Sequence, residues 1–483
     1  MLKICILSFI DFLRRIGMRL SFTSLISIIL IIISPLHAQQ TSKRNLLTME
    51  EAISRALSRN NRVRATEFAV KKANWDKKHA WTLLFPTVSV NSRYSWIDDS
   101  TYALRDFSKY FEDMPEIPGM DIDIPQVVFQ KSYYTSLDVT MPLFNSALLN
   151  SISIANVSED MAIQFNKSTR NNVAFMVIST YLFVLKNKEI LKLQQDYLEL
   201  SGLNYEKAER MHDAGRYSKT EALRWKVDLQ QQKSVVVNSE SALRSTMTIF
   251  TRLLNMDMRE YIEIENRIPQ SLLTESQKLE QFTDEEILAL VQLDDNELIQ
   301  ANAALAAAKS NEKISKKLYH NSYTSYLPNL SLSYSYGWRE NNTVELDDYS
   351  PQTLMVNLSM PLFTGFKNVT STKAAYYDYK RSYEDFYDQM QNIRLILTET
   401  VNKIINLKTQ RQLAATNVEF TEKNYSIVEQ QKEKGLVSNI DFIDAKLNWQ
   451  NAKLNDISAH YDFITAMVEL YYLLGKLDKV IEY

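Results

Sequence analysis

From Tyr379 to Val428 the chain sets residues suited to a buried seam at alternating steps of four and three: Tyr383, Phe386, Met390, Ile393, Leu397, Thr400, Ile404, Leu407, Arg411, Ala414, Val418, Thr421 and Tyr425 fall between those ends. A mean step of three and a half is the coiled-coil seam, and few patterns other than long paired helices sustain it for seven heptads. A helix of about 67 residues spans on the order of 100 Å at 1.5 Å per residue. It ends at Glu433-Lys434-Gly435-Leu436-Val437-Ser438. Gly435 reads as the left-handed residue that closes a helix. Ser438, with Asp441 three positions on, reads as the capping box that opens the next. The chain therefore folds back through a very short turn into a return helix reaching about Leu474.

The same device stands earlier, at Gly215-Arg216-Tyr217-Ser218 with Glu221, between helical patterns over roughly 146–212 and 218–254. Two leading helices, 46–82 and 283–325, begin at Thr48 with Glu51 and at Thr283 with Glu286. Both stop before a proline, Pro86 and Pro328, as the steric restriction on the preceding residue requires. After each proline the period changes to two. Val88, Val90, Ser92, Tyr94 and Trp96 alternate with Thr87, Ser89, Asn91, Arg93 and Ser95, and Leu330, Leu332, Tyr334, Tyr336 and Trp338 alternate with Asn329, Ser331, Ser333, Ser335 and Gly337. Second strands follow, ending in Met141-Pro142-Leu143-Phe144 and Met360-Pro361-Leu362-Phe363. The prolines lie 242 residues apart and the strand ends 219 apart, so the first strand-to-strand loop is longer by 23 residues. That loop, about 98–131, is acidic and holds Pro115, Pro118 and Pro125; it reads as a solvated surface loop or, more specifically, as a receptor or plug loop.

The pattern is an internal two-fold repeat. Residues 39–258 form the first unit, with a β-hairpin over about 86–141 and a helical tip near Gly215. Residues 259–282 form a linker halfway up the column. Residues 283–483 form the second unit, with a β-hairpin over about 328–360 and a tip near Gly435. Ahead of them, residues 1–38 read as a secretory signal peptide, with a basic start at Met18-Arg19, an apolar run from Leu25 to Ile33 and cleavage after Ala38; a retained membrane anchor is the rival reading. The single cysteine, Cys5, falls inside that leader, so the mature chain is expected to carry no disulfide or thiol chemistry. Net charge is −3 over 483 residues, which points away from a nucleic-acid partner. No phosphate loop, zinc-type histidine pair or nucleophile elbow is present, so no enzyme activity and no cofactor are expected. His79, His212, His320 and His460 are isolated, and His212 reads as an exposed residue near a tip.

Strands of about ten residues with one apolar face, one polar face and aromatic residues near their ends are the pattern of membrane-spanning β-strands. Tyr94, Trp96, Tyr336 and Trp338 are the expected aromatic belt. Four strands cannot close a barrel, and an open edge in lipid leaves unpaired backbone groups costing several kcal/mol each. Three copies would close a 12-stranded barrel wide enough for water, whereas two would leave little lumen. The fold class expected is an α+β membrane protein: a homotrimeric α/β barrel, four strands per chain in a shared transmembrane β-barrel, continued by a long coiled-coil α-helical barrel.

Across nearly the whole mature chain this pattern resembles the TolC-like outer membrane factors, the outer membrane efflux protein family. Both repeats, both Met-Pro-Leu-Phe strand ends and both Gly-x-x-Ser tips carry the resemblance, most specifically Gly435 with Asp441 six and Asp444 nine residues on. It implies location in the outer membrane with the helices in the periplasm. It also implies a passive trimeric duct that receives small toxic molecules from a periplasmic adaptor and an inner-membrane pump of the RND or ABC type. The same channel serving type I protein secretion is an alternative, and a periplasmic coiled-coil adaptor or scaffold is a rival of another class. By resemblance Asp441 and Asp444 ring the periplasmic constriction, where divalent cations could block the pore; carboxylates in a first helical turn also serve capping and the helix dipole. Two positions depart from the family pattern. Val437 stands where the family has a basic residue that helps hold the closed state, and Ser146 stands where the second strand end has Gly365.

Overall fold

Two uninterrupted helices of nearly seventy residues set the scale of the computed structural model, which describes residues 46–105, 129–258, 262–340 and 351–480. The expected leader lies outside the described residues, as does most of the acidic loop. Helices α1 (Met49–Arg59) and α2 (Asn61–Thr82) precede strand β1 (Thr87–Trp96), a short α3 (Asp99–Arg105) and strand β2 (Lys131–Phe144). Then come α4 (Ser146–Asp213), α5 (Lys219–Leu253), α6 (Gln270–Gln281), α7 (Asp284–Ala289), α8 (Asp295–Ala301) and α9 (Ala303–Ser322). Strands β3 (Asn329–Glu340) and β4 (Gln352–Ser359) lead into α10 (Lys367–Glu433) and α11 (Asn439–Leu473). Every seam residue read from Tyr379 to Val428 is buried or half-buried. Both tips turn as expected: Gly215 and Gly435 have φ of +67° and +73°. At each, paired bonds satisfy the last carbonyls, Arg216 N to Met211 O at 2.8 Å and Leu436 N to Gln431 O at 2.9 Å.

The leading helices differ from expectation. Neither is continuous: the pattern over 46–82 divides at Asn60, and that over 283–325 divides at Leu290–Asp294 and at Asn302. The two asparagines do the same work 242 residues apart. Asn60 Oδ1 accepts from Arg62 N at 2.9 Å while its Nδ2 donates to Leu253 O at 3.0 Å. Asn302 Oδ1 accepts from Ala304 N at 3.1 Å while its Nδ2 donates to Leu473 O at 3.3 Å. Each side chain caps one helix and ties off the last turn of the return helix, which is why the break falls there. Just past those ends, Asn255 and Gly475 both adopt left-handed backbone, φ +53° and +64°. Asn255 Nδ2 donates to Arg59 O at 3.1 Å. At the matching place a Cβ on Gly475 would lie 2.0 Å from Ala301 O, so the second joint closes by direct backbone approach that only glycine permits.

Around this waist lies the main core, where Ile53, Ile178, Phe250, Ile264, Leu298 and Phe463 are all buried. Tyr181, with no exposed surface, donates its hydroxyl to Glu265 O at 2.8 Å and so seats the segment after α5 on α4. Above the waist α2 packs along α4, and α9 packs against both α4 and α10, covering the halves of the long helices that the 35-residue α5 and α11 do not reach.

The four strands form one antiparallel sheet in the order β1-β2-β3-β4. Register brings Val88 opposite Val139, Val139 opposite Tyr334 and Tyr334 opposite Leu354, so the apolar residues of all four strands share one face. That face stays open: Val90, Leu354 and Leu358 are 68, 68 and 67% exposed. The other face carries Asp138, whose carboxylate accepts from Asn91 Nδ2 at 2.7 Å, Ser136 Oγ at 2.8 Å and Ser335 Oγ at 2.6 Å. At the second strand end Gly365 and Phe366 are both left-handed, whereas Asn145 caps α4 in the first; this is how Ser146 is accommodated without a glycine.

The waist contact yields a test. Replacing Gly215 by Ala, in open space, should cost about the 1–2 kcal/mol of a left-handed non-glycine residue. Gly475→Ala adds a backbone collision and should lower the thermal midpoint distinctly further, read by circular dichroism of the purified protein.

Candidate functional site

The residues singled out in the sequence gather at the two helical tips, a full long-helix length from the sheet. Each tip opens its return helix with a capping box. Ser218 N donates to Glu221 Oε2 at 2.9 Å and Glu221 N to Ser218 Oγ at 3.2 Å. Ser438 Oγ donates to Asp441 Oδ2 at 2.7 Å, and Asp441 N donates back to Ser438 Oγ at 3.2 Å. The two acids of the second tip are therefore not equivalent. Asp441 is occupied in capping, while Asp444, one turn on, is exposed with no ion pair or hydrogen bond among the described residues.

The tips also touch each other. Asn439, the first residue of α11, is buried and donates through Nδ2 to Glu221 Oε1 at 2.9 Å. Hydrogen bonds from Ser218, opposed in part by desolvation and helped by the Lys432 ammonium and Asn439, hold the Glu221 carboxyl below its usual range. Burial pushes the Lys432 ammonium down, and its Nζ lies 5.7 Å from the Tyr217 ring centroid. His212 is half-buried rather than exposed, with Nδ1 3.1 Å from Tyr217 O, because the turn folds the Tyr217 carbonyl back over it.

Two turns further in, a stronger link joins the hairpins. Lys446 of α11 is fully buried; its Nζ donates to Asp228 Oδ2 of α5 at 2.6 Å and to Ser201 Oγ of α4 at 3.0 Å. Around it a small second core forms from Ala208, Trp225, Tyr425 and Phe442, with Trp449 stacked on Tyr425 at 4.9 Å. Sequence reading did not single out Lys446. The available signal was its place on the face Phe442, Ala445, Lys446, Trp449, Gln450, where a lysine interrupts an otherwise inward-facing helical stripe.

At the opposite end of the long helices, Tyr94 and Trp96 are exposed, Tyr94 lies 4.9 Å from Tyr133, and Tyr336 meets Trp338 edge-on at 4.5 Å. Among the described residues no group of three or more His, Cys, Asp or Glu is gathered to hold a metal.

Residues 296–476 match the family model described as outer membrane efflux protein. The chain is 22% identical over 413 residues to the outer membrane protein TolC of Vibrio cholerae, covering 82% of this chain and 83% of that one. In sequence the chain is thus similar to TolC-like outer membrane efflux proteins. It is also 21% identical over 364 residues to the alkaline protease secretion protein AprF of Pseudomonas aeruginosa, covering 72 and 70% of the two chains. Its fold is that of the Campylobacter jejuni CmeC outer membrane channel, with a TM-score of 0.73 at 12% identity over 89 and 86% of the two chains. The sheet and the tips stand at opposite ends of the long helices.

Two outcomes follow for the tips. Asp228→Asn leaves Lys446 buried without its counter-charge, which typically costs 3–5 kcal/mol; hydrogen exchange in α11 should rise sharply, whereas the double change to Lys446→Met with Asp228→Leu should restore protection. Glu221 has a folded pKa below the ordinary 4.5, so its contribution is present above that value and lost as pH falls through the lowered one. Amide protection at Phe442, whose N–H bonds Ser438 O at the start of the same helix, should hold from neutral pH down to about 4.5 and fall below it, and Glu221→Gln should flatten that profile.

Proposed function

We propose that this chain is the outer-membrane duct of a tripartite export system: a homotrimer whose three sheets close one 12-stranded barrel and whose helical hairpins form a hollow cylinder beneath it. The sheet carries the reading. Its whole apolar face is uncovered, and its edge strands β1 and β4 have no partner among the described residues. In hydrocarbon such edges must be paired, and closure with further copies is the available route. Strand stagger supports it. Trp338 stands opposite Thr135 and hence in line with Ser92, four residues short of Trp96, its counterpart in the first hairpin. A shift of this kind between equivalent hairpins is what tilted strands in a closed barrel need. The element order helix, strand pair, long helix, return helix occurs twice, which fits a duplicated unit that contributes two equivalent staves to the wall.

Such a duct is passive; energy and cargo come from an inner-membrane pump of the RND or ABC type through a periplasmic adaptor. The match to the efflux family model favours small toxic compounds as cargo, and the likeness to AprF, named for alkaline protease secretion, favours a second reading as a type I protein-secretion duct. A periplasmic scaffold would leave the uncovered apolar face without a purpose. At the periplasmic entrance Asp441 and Asp444 of three chains would place six carboxylates round the axis, favouring cations and admitting divalent block.

Single-channel recording from the detergent-purified trimer in a planar bilayer tests this. Cation-selective steps blocked by divalent ions are expected, with block weakened and conductance raised in Asp441→Asn with Asp444→Asn, a change that keeps a capping acceptor at 441. A well-folded trimer silent both as wild type and as that variant would overturn the duct in favour of the scaffold.

A further inference from the structure

The polar face of the sheet holds a charge arrangement that the proposed gate does not use. Among the described strand residues on that face, the charged ones are Arg93, Asp138 and Arg339. Asp138 is satisfied by three neutral donors, Asn91, Ser136 and Ser335. The arginines are different. Arg93 pairs with Tyr134 across β1 and β2, and Tyr134 pairs with Arg339 across β2 and β3, so the three stand side by side in one rung. Neighbouring strands lie about 4.8 Å apart, which sets the two arginine backbones about 10 Å from each other. Both arginines are exposed, and neither has an acidic partner among the described residues. Asp138 stands four positions further along β2, beyond contact with either.

The residue between them is also arranged. The Tyr134 ring leans over Gly337, where an added Cβ would lie 3.0 Å from its Cε2 and 3.1 Å from its hydroxyl. Gly337 is two residues from Arg339 on the same face, and its absent side chain is what lets the phenol lie over that position. Arginine, tyrosine, arginine in one rung is a donor set with no acceptor charge of its own. Guanidinium is permanently charged and matches carboxylate and phosphate oxygens with two parallel N–H donors.

We propose that Arg93, Tyr134 and Arg339 form an oxyanion-binding band near the outer mouth of the barrel, engaging phosphate or carboxylate groups of cargo on its way out. This rests on the trimeric-duct reading, which turns the polar face inward and multiplies the two arginines to six. Strand tilt spreads the six along the wall rather than in one plane. Low-dielectric walls focus their field into the lumen, and like charges at that density hold counter-anions there. The band lies at the end of the strands distal to the helices and is opposite in sign to the acidic residues at the tips. A cargo anion passing the periplasmic entrance would thus meet attraction last, close to release.

The test uses the full-length mature protein as a detergent-purified trimer, with inorganic tripolyphosphate as probe. Calorimetry on the trimer reads binding whether or not the pore conducts, and bilayer recording reads block from each side. Saturable tripolyphosphate binding is expected, weakened at least tenfold in Arg93→Gln with Arg339→Gln, weakened by added salt, and partly kept in the double lysine variant. In conducting channels, block should be stronger when the probe is added from the barrel side. A trimer that conducts but neither binds nor is blocked, or whose binding survives the glutamine changes, overturns the band and leaves the duct standing. A protein that is monomeric in detergent overturns the duct, and the band with it.

Discussion

A helix of about 100 Å can bury its seam only if something lies along all of it. The return helices α5 and α11 are 35 residues each, about half of that length, so the far halves of α4 and α10 need other partners. Helices α2 and α9 supply them, and the chain must therefore pass from one layer to another at mid-height. The two asparagine joints are the consequence. At Asn60 and Asn302 a single side chain satisfies a new helix start and an old helix end together, so the break leaves few orphan backbone groups in the largest core of the molecule. The left-handed residues Asn255 and Gly475 complete the same joints by a side-chain bond in one case and backbone contact in the other.

Below the waist the two hairpins adhere mainly through the small aromatic core and the Lys446–Asp228 pair. This contact is a mixed one. Removing one partner of a buried pair is costly, yet the pair itself adds little over an apolar contact of the same volume. Nearby, Tyr197 Oη, Asn439 Oδ1, Trp449 Nε1 and Gln450 Nε2 are buried without partners. Unsatisfied polar atoms make a contact cheaper to open, because water can pair with them once the surfaces part. Two side-chain links thus join the hairpins here, Glu221–Asn439 at the tips and Lys446–Asp228 two turns deeper.

Much of this was legible beforehand because it is written in short-range terms. Every heptad position from Tyr379 to Val428 turned inward, both Gly-x-x-Ser tips turned as left-handed caps, and Thr48, Thr283, Ser218 and Ser438 each formed the expected box. Period and capping involve residues within a turn or two of each other, so their signal survives without tertiary context. The leading helices were read too long because an asparagine inside a helical period costs little locally; what makes Asn60 a joint is the Leu253 carbonyl, 193 residues away.

By itself, then, the sequence determined which segments are helix and strand, where they reverse, and which strand face is apolar, since each follows from period and from the chemistry of single turns. Tertiary structure decided which residues meet. Lys446 and Asp228 are 218 positions apart, and neither identifies the other. Arg93 and Arg339 do not correspond by the repeat spacing of 242; they share a rung only because cross-strand register slides the second hairpin four residues along the first. Register is set by side-chain packing across whole strands and by the tilt of the sheet, and no local pattern encodes its value.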